Sequence, residues 1–490
     1  MPNEASMPRL DDRARWEAFA VCVAVAALTI LDLSKVNVGL PSIQESLGAG
    51  PSEVQSIVAG YALAFGLALV PAGRLGDLKS RRLLFLVGLS AFTLTSLLCA
   101  VAPNVTVLVV GRFLQGVAAG IQMPQVLGLI QQLFQGKERG RAFGLFGSMI
   151  GISTAFGPTL GGLLIAVGGP KDGWRLLFWM NIPLGILLLF FAARLLPRRQ
   201  LADATAHDLD PVGIVLLGGG VLSFMLPFVL TTGGPGDDPR RWFLLISAAI
   251  FGAAFVAWER RYAARGRSPA VRFALFRLAS YRNGLLIAMV YFGALPATFL
   301  VTTLYLQEGL KLEPLFAGLT TVPFALTSAL TAWIGGRLVD RLGRALVVTG
   351  IIIVIAGFAL DVLAAVLAPA SLAPWFMAGA LAITGAGGGF VVSPNQTLTL
   401  AEIPVTEGGV AGSMAQVGQR VGTAIGVAAA TSTFFATLYA ESGRPNSLSV
   451  YHDSFRNGIL VAIGLIAVAL VLGLFDLGQR RRGASEQSEA

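Results

Sequence analysis

Apolar runs of about 20 residues recur along most of this chain, and they restrict the folds that it can adopt. A run of this length crosses roughly 30 Å of hydrocarbon as an α-helix. Only 13% of the residues are charged and 55% are hydrophobic, whereas a soluble domain carries roughly 25% charged residues. The short alternating segments that are typical of β-barrels are absent from the sequence. The sequence therefore predicts an all-α polytopic membrane protein.

Apolar windows along the sequence predict fourteen membrane-spanning helices. The predicted spans are residues 18–40, 54–76, 83–101, 106–134, 142–166, 175–195, 211–232, 242–259, 283–307, 315–337, 345–367, 374–401, 409–438 and 456–477. The chain also has 59 glycines, which in membrane helices allow neighbouring backbones to approach closely. We therefore expect a tightly packed helical bundle.

Basic residues are concentrated in alternate loops, and this predicts the orientation of the chain. The loops at 79–82, 137–141 and 194–199 are basic, and so are the segment 259–277 and the end of the chain. Cytoplasmic loops of membrane proteins carry an excess of Lys and Arg. We therefore expect a multi-pass protein of the inner or plasma membrane with both termini in the cytoplasm. The net charge of +9 then reflects topology, and no nucleic-acid partner is expected.

The residue types that commonly carry catalysis do not form a recognisable pattern here. Cys22 and Cys99 lie in apolar runs, whereas His207 and His452 lie in polar connections. The glycine-rich segment at 388–396 lacks the spacing of a phosphate-binding loop. We therefore expect no enzymatic activity, no metal site and no cofactor.

Two phrases of the first half of the sequence nearly recur in the second half. "GRLGDLKSRR" at 73–82 is similar to "GRLVDRLGR" at 336–344, and both follow a predicted span on the cytoplasmic face. "GSMIGISTAFGPTLGG" from Gly147 aligns in the same way with "GSMAQVGQRVGTAIGV" from Gly412. Two parallel repeats are typical of secondary transporters that rock between two access states.

The repeats predict a division of the chain into two pseudo-symmetric six-helix bundles with two inserted central helices. The expected parts are a cytoplasmic tail at 1–17, the first bundle at 18–200, the inserted helices with a linker at 201–280, the second bundle at 281–478 and a cytoplasmic tail at 479–490.

The recurring turn predicts a conformational latch between the bundles. Its candidate residues are Gly73, Gly76, Asp77 and Arg81 in the first half and Gly336, Asp340, Arg341 and Gly343 in the second half. The glycines permit tight helix contact, and each acid can face the positive N-terminus of a neighbouring helix. Such a latch would stabilise one access state. The alternative is a tight basic loop without a mechanical role.

Charged residues inside the spans are functional candidates, because a charge within the membrane is costly. Asp32 in the first span and Arg112 in the fourth are expected at a similar depth. Burial favours a protonated carboxyl group and a nearby cation favours the ionised one, so a pairing that changes with access state would bind and release a proton. The alternative is a static buried ion pair. Lys35, on nearly the same helical face as Asp32, either neutralises Asp32 or attracts an anionic or zwitterionic cargo.

Polar and aromatic side chains within the spans are candidates for lining a central substrate cavity. They are Tyr61, Gln115, Gln125, Tyr291, Tyr305, Gln307, Asn395 and Arg420. Arg420 is expected near the middle of the membrane, and the first repeat has no counterpart of its charge. Asp361 is expected nearer the outer interface, where it is either functional or simply solvated.

Several of these segments resemble signatures of the major facilitator superfamily. "GRLGDLKSRR" resembles its loop signature, "LDLSKVNVGLPSI" at 31–43 its first-span signature and "GRFLQGVAAG" at 111–120 its fourth-span signature. "GISTAFGPTLGG" at 151–162 resembles the antiporter signature of the fifth span, with Gly157, Pro158, Gly161 and Gly162, and "WRLLFWMNIPLG" at 174–185 is also typical. The chain resembles the fourteen-span drug:proton antiporters of this superfamily over essentially its whole length.

The resemblance implies a monomeric, proton-coupled antiporter that exports drugs or antibiotics by alternating access. Its partners would be a small amphipathic substrate, protons and membrane lipids, with the proton gradient as the energy source. In the family, the acid and the arginine that match Asp32 and Arg112 are associated with proton coupling or cation recognition. Lys35 departs from the family pattern, which has an apolar or hydroxylic residue there. Other interpretations are a dedicated exporter of an endogenous metabolite, an anionic compound or a lipid-like molecule, and a membrane sensor that transports nothing.

Overall fold

The computed structural model describes residues 11–169, 171–198, 210–231, 237–267, 269–441 and 447–489. Within these ranges the chain is almost entirely helical and contains no strand. Fourteen segments are long and apolar enough to cross a membrane, which confirms the predicted class and number of spans. Most of the predicted linker, including His207, lies outside the described residues.

The first half of the chain forms seven helices, of which the last two together make one span. They are α1 (Asp12–Leu47), α2 (Pro51–Leu78), α3 (Arg81–Ala100), α4 (Val105–Leu133), α5 (Gly136–Gly168), α6 (Gly173–Trp179) and α7 (Asn181–Leu195). Polar caps define several of their starts. The Ser80 hydroxyl accepts from the Leu83 N–H at the start of α3, and the Asn104 side chain accepts from the Val107 N–H at the start of α4.

The inserted pair consists of α8 (Pro211–Val229) and α9 (Leu244–Ala264). The second half contains α10 (Ala279–Leu304), α11 (Pro314–Leu319), α12 (Val322–Leu342), α13 (Arg344–Leu367), α14 (Ala373–Thr399), α15 (Gly408–Ala440) and α16 (Ser447–Glu489). A single π-helical turn, Tyr305–Gly309, extends α10. The last helix thus continues through most of the segment that was predicted as a tail.

Two of the predicted spans are broken into a short and a long helix, and proline explains both breaks. α6 ends at Trp179 and α11 ends at Leu319. Pro183 and Pro323 each lie four residues further on, where an uninterrupted helix would need an N–H to bond those carbonyl oxygens. Because proline has no N–H, the ladder is interrupted at these points.

Each half has its own apolar core. The first core is built largely from α1 to α7 and includes Phe85, Phe92 and Phe143, while the second is built from α10 to α16 and includes Phe358 and Phe455. The halves also meet along α5 and α12, where glycines let two backbones approach. A methyl group at Gly336 of α12 would lie 2.6 Å from the Gly140 carbonyl oxygen of α5.

The inserted pair lies beside the two halves. Asp210 accepts from the Gly213 N–H at 2.9 Å and caps α8, and the Trp258 indole of α9 donates to the same carboxylate at 2.9 Å. α8 packs on α2, where the Met225 sulfur lies near Gly66, and it also contacts α15. Only 22% of the residues in the apolar stretch of the first inserted span are buried, and 17% in that of the second. Most of the surface of these two spans therefore faces away from the rest of the protein.

Candidate functional site

The most concentrated group of buried charges lies between α1, α4 and α7. The Asp32 carboxylate accepts from Arg112 Nη1 at 2.7 Å and from Asn181 Nδ2 at 2.6 Å. Lys35 Nζ donates to Asn181 Oδ1 at 2.6 Å and lies 3.6 Å from Asp32 Oδ1. None of these four side chains is more than 1% exposed. The structure therefore brings the three predicted coupling residues together.

Two further polar side chains complete this cluster. Gln115 Oε1 accepts from Arg112 Nη1 at 2.6 Å, and Gln115 Nε2 donates to the Ser96 hydroxyl at 2.8 Å. Ser96 also accepts from Asn181 Nδ2 at 3.1 Å, which closes a ring of contacts. We call Asp32, Lys35, Ser96, Arg112, Gln115 and Asn181 the N-half network.

Sequence reasoning did not identify Ser96 and Asn181 as members of the network. Asn181 belongs to the "WRLLFWMNIPLG" segment, at the proline break between α6 and α7. A polar amide beside a broken membrane helix was a usable signal, because broken helices in membranes are tolerated where they serve a buried site. Ser96 carried no such signal, since isolated serines are common in membrane helices.

An aromatic stack leads from the N-half network toward the second half. The Arg112 guanidinium lies over the Tyr61 ring at 4.2 Å, and Tyr61 stacks on Phe65 with their centroids 6.2 Å apart. Arg420 of α15 lies over Phe65 at 4.5 Å. No described residue forms a hydrogen bond or an ion pair with Arg420, and the Tyr61 hydroxyl is likewise without a hydrogen-bond partner there. These groups form a connected line from α4 through α2 to α15.

The glycines of the antiporter segment pack directly on α1 beside the network. A methyl group at Gly161 would lie 2.8 Å from the Lys35 carbonyl oxygen, and one at Gly157 would lie 1.9 Å from the Ser34 hydroxyl. At Gly162 the nearest atom would be 3.9 Å away, on Leu315. Pro158 lies inside α5 between these positions. α5 therefore holds the Ser34–Lys35 segment of α1 through contacts that tolerate no side chain.

The predicted latch of the first half links the two halves. The Asp77 carboxylate accepts from the backbone N–H groups of Gly409 at 3.2 Å and Val410 at 2.9 Å, at the N-terminus of α15. Arg81 donates to Asp77 at 2.7 Å and to the Val405 carbonyl oxygen at 2.8 Å. Gly73 allows α2 to approach this site, since a methyl group there would lie 2.8 Å from the Gly409 carbonyl oxygen. Gly76 plays the same role toward Gln125 of α4. Asp77 thus binds a positive helix end.

The second copy of the turn is not a latch of the same kind. Asp340 and Arg341 are exposed, and neither forms an ion pair with any residue that the structure describes. Gly336 is used at the α5–α12 contact, and Gly343 has a positive φ of 52° between α12 and α13. Asp340 and Arg341, which were candidate latch residues, therefore make no ion pair of the kind that Asp77 makes with Arg81 in the part of the chain that the structure describes. The turn is repeated, but among the described residues no backbone N–H donates to the Asp340 carboxylate as two do to Asp77.

The remaining cavity candidates are dispersed. Gln125 donates to the Ala72 carbonyl oxygen within the first half, at 2.9 Å. In the second half Tyr305 donates to the Ala365 carbonyl oxygen at 3.0 Å, and Asn395 accepts from Arg344 and donates to the Gly284 carbonyl oxygen. Tyr291 is buried and Gln307 is half-buried in the π-helical turn. The structure does not gather these side chains in one cavity, and the role of each in binding cargo stays a prediction.

Asp361 of α13 is fully buried, so the alternative that it is solvated near the outer interface is wrong. Its only hydrogen bond within the described chain comes from the Thr302 hydroxyl at 3.4 Å, and no described Lys or Arg lies within ion-pair distance. Asp361 is therefore a buried carboxyl group without a cation beside it.

Comparison with known proteins gives a consistent assignment. The family model described as Major Facilitator Superfamily matches residues 22–427. The chain is 33% identical to the probable actinorhodin transporter of Streptomyces coelicolor over 87% of this chain and 74% of that protein. It is 32% identical to the puromycin resistance protein of Streptomyces alboniger over 100% of this chain and 97% of that protein. The solved structure of a human organic anion transporter has the same fold, with a TM-score of 0.64, 14% identity and coverage of 94% and 99%.

Proposed function

Because the chain belongs to the major facilitator superfamily, it is a membrane transporter and not an enzyme, and we propose that it exports small amphipathic compounds in exchange for protons. The N-half network is the observation on which this proposal depends. It places a carboxylate and two cations at full burial inside a membrane-spanning bundle. A charge at such a position is by default a candidate for function, because its desolvation is costly. In this proposal Asp32, Arg112 and Lys35 form the coupling site.

Alternating access is supported by the contacts between the halves. Asp77, Arg81 and the close α5–α12 crossing join the halves near the turn at Lys79 and Ser80. The excess of bases on this face supports its assignment to the cytoplasm. We propose that both termini lie in the cytoplasm and that the protein works as a monomer in the cell membrane. We also propose that the contacts described here close its cytoplasmic side. Release of Asp77 from α15 would then accompany opening of that side.

The cargo that we propose is an antibiotic-like aromatic compound. The relatives named above include a probable actinorhodin transporter and a puromycin resistance protein. In this chain the Tyr61–Phe65 stack ends at Arg420, whose guanidinium has no acidic partner in the described ranges. This pairing of aromatic surface with a cation favours compounds that carry rings, and it supports an anionic cargo as the second candidate.

Transport into everted membrane vesicles tests the proposal. With puromycin and actinorhodin as probes, an imposed pH gradient, acid inside, should drive accumulation, and a protonophore should abolish it. Counterflow of labelled against unlabelled compound, without any gradient, measures exchange independently of proton coupling. Absence of counterflow for both compounds would contradict the proposed cargo, whereas counterflow without gradient-driven accumulation would contradict proton coupling.

A further inference from the structure

The N-half network contains more positive than negative charge. Lys35 and Arg112 share Asp32 as their acidic partner, and neither lies within ion-pair distance of a second carboxylate in the described chain. All three side chains are at most 1% exposed. If every group is ionised, the network carries one positive charge in excess. A net charge in a low-dielectric interior is costly, so one group is expected to change its protonation.

The groups around Lys35 leave few candidates for that change. The charged groups that face it are Asp32 from α1 and Arg112 from α4. Beyond Arg112 lie two titratable side chains, Tyr61 from α2 and Cys99 from α3, both neutral in their ordinary forms at pH 7. α7 presents the Asn181 amide, and α5 presents the backbone at Gly157 and Gly161. Among the described residues, α5, α6 and α7 place no charged side chain within ion-pair distance of Lys35.

Three groups could in principle correct the imbalance. A guanidinium group is not deprotonated in proteins, which leaves the other two groups. Protonation of Asp32 would increase the excess positive charge and leave Arg112 and Lys35 without an anion. The ammonium group of a buried lysine, by contrast, readily gives up its proton. Loss of that proton leaves Asp32 and Arg112 as a balanced pair in direct contact at 2.7 Å.

We infer that Lys35 is the side chain that binds and releases the coupling proton, while Asp32 stays ionised beside Arg112. This inference rests on the proposed function of proton-coupled antiport. In the release step one Nζ–H bond breaks, its electron pair stays on nitrogen, and the proton passes to water. Uptake from water on the other side reverses the step. The neutral amine keeps two N–H groups, so it can still donate to Asn181.

The packing of α5 connects this protonation to the movement of the halves. Gly161 lies against the Lys35 backbone, and the same helix crosses α12 of the second half at Gly144 and Gly336. A methyl group at Gly144 would lie 3.1 Å from the Gly336 Cα atom, so the two backbones are in close contact at this crossing. A rotation of one half against the other therefore acts on the helix that holds Lys35, and this can change its access to water.

Two substitutions of Lys35 test the inference. Lys35→Arg keeps a cation that cannot release its proton, and Lys35→Met keeps the volume but mimics the neutral state. Both variants should retain counterflow of puromycin or actinorhodin in everted vesicles, and both should lose accumulation driven by the pH gradient. Wild-type counterflow should vary with pH, because Lys35 titrates, and the counterflow of both variants should be independent of pH. Lys35→Met leaves a balanced Asp32–Arg112 pair, so it carries the same test if Lys35→Arg does not fold.

The possible results separate this inference from the proposed function. Wild-type protein that shows no counterflow, or that shows counterflow without accumulation driven by the pH gradient, would defeat the proposed function and the inference with it. If the wild type shows both activities and either variant still accumulates the probe, Lys35 is only a neutralising partner of Asp32 and the inference fails. A variant whose counterflow keeps the wild-type pH profile would overturn it in the same way. Loss of accumulation with pH-independent counterflow in both variants supports it.

Discussion

Asp32 lies between two cations inside a membrane-spanning bundle, and this position determines what its substitution should do. Its carboxylate accepts hydrogen bonds from Arg112 and from Asn181, and Lys35 is 3.6 Å away. Truncating one member of a buried charged network usually costs about 3–5 kcal/mol, because its partners stay buried and unpaired. An isosteric amide keeps part of the hydrogen bonding and reduces that cost.

We predict that Asp32→Asn abolishes accumulation driven by a pH gradient while counterflow continues. The amide removes the negative charge that Arg112 and Lys35 share. The network can then no longer reach a state of zero net charge when Lys35 releases its proton. Vesicle assays with puromycin and actinorhodin measure both activities. Accumulation at the wild-type rate would show that proton coupling depends on another group, and the buried Asp361 would be the next candidate.

Some of this residue-level arrangement followed from the sequence and some did not. Asp32 and Arg112 were predicted at similar depth because helical rise converts sequence position into depth. The partners Ser96 and Asn181 depend on how α3 and α7 are rotated about their axes, and one sequence does not specify that rotation. The exposure of Asp340 was missed for a related reason. Its sequence repeats that of Asp77, but the position of the neighbouring helix end is a property of the assembled fold.

At the scale of whole helices, one carboxylate of α2 accepts both backbone hydrogen bonds from the start of α15. Asp77 satisfies two backbone N–H groups at the start of α15 and is itself held by Arg81. Hydrogen bonds to an ionised acceptor are roughly twice as strong as neutral ones, so the contact should weaken markedly if the charge is lost.

We predict that Asp77→Asn impairs transport while leaving expression and membrane insertion largely intact. The amide can accept from one N–H group only weakly and no longer pairs with Arg81, so the closed state loses about 1.5–3 kcal/mol. Counterflow and accumulation in vesicles, normalised to protein amount, measure the effect. Asp340→Asn is the matched control at the repeated position, and because Asp340 is exposed it should behave as wild type. Equal effects of the two substitutions would count against the latch.

A second element-scale prediction concerns the packing of α5 on α1. Gly161→Ala places a methyl group 2.8 Å from the Lys35 carbonyl oxygen, so the helices must separate. We expect a destabilisation of about 1–3 kcal/mol, as for other overpacked contacts, and a lower melting temperature in detergent. Gly162→Ala is the control, because its methyl group would have no neighbour closer than 3.9 Å. It should be neutral or slightly stabilising, since alanine favours helices over glycine by up to about 1 kcal/mol. A similar loss of stability in both variants would refute the close-contact explanation.

At the scale of the whole molecule, the number of spans could be predicted from the sequence, but the helix breaks and the position of the inserted pair could not. The fourteen spans and the helical class followed from apolar length alone, because a membrane helix must satisfy its backbone internally. The breaks after Trp179 and Leu319 were not predicted, although proline positions explain them afterwards. The position of α8 against α2 and α15, with α9 packed on α8, could not be derived, since neither inserted helix has a counterpart in the repeats.

We predict that α8 and α9 do not line the transport pathway. Single cysteines at Ile246 and Ile250, two exposed positions of α9, should react with a thiol reagent at rates that puromycin or actinorhodin does not change. The native Cys22 and Cys99 are buried, so background labelling should be low. Val421, next to Arg420 on α15, provides the comparison position, where cargo should slow the labelling. Strong protection at Ile246 or Ile250 would show that cargo passes beside the inserted pair.

The partner of Asp77 is the main chain of α15, and this has an evolutionary consequence. A backbone N–H is present at Gly409 and Val410 whatever side chains the rest of α15 carries, unless proline replaces one of these two residues. The same helix carries Arg420 at the end of the aromatic stack. If Asp77 closes the carrier as we propose, side chains on α15 can therefore change with the cargo while this closing contact is kept. Substrate specificity can then change during evolution without a change in the contact that links the two halves.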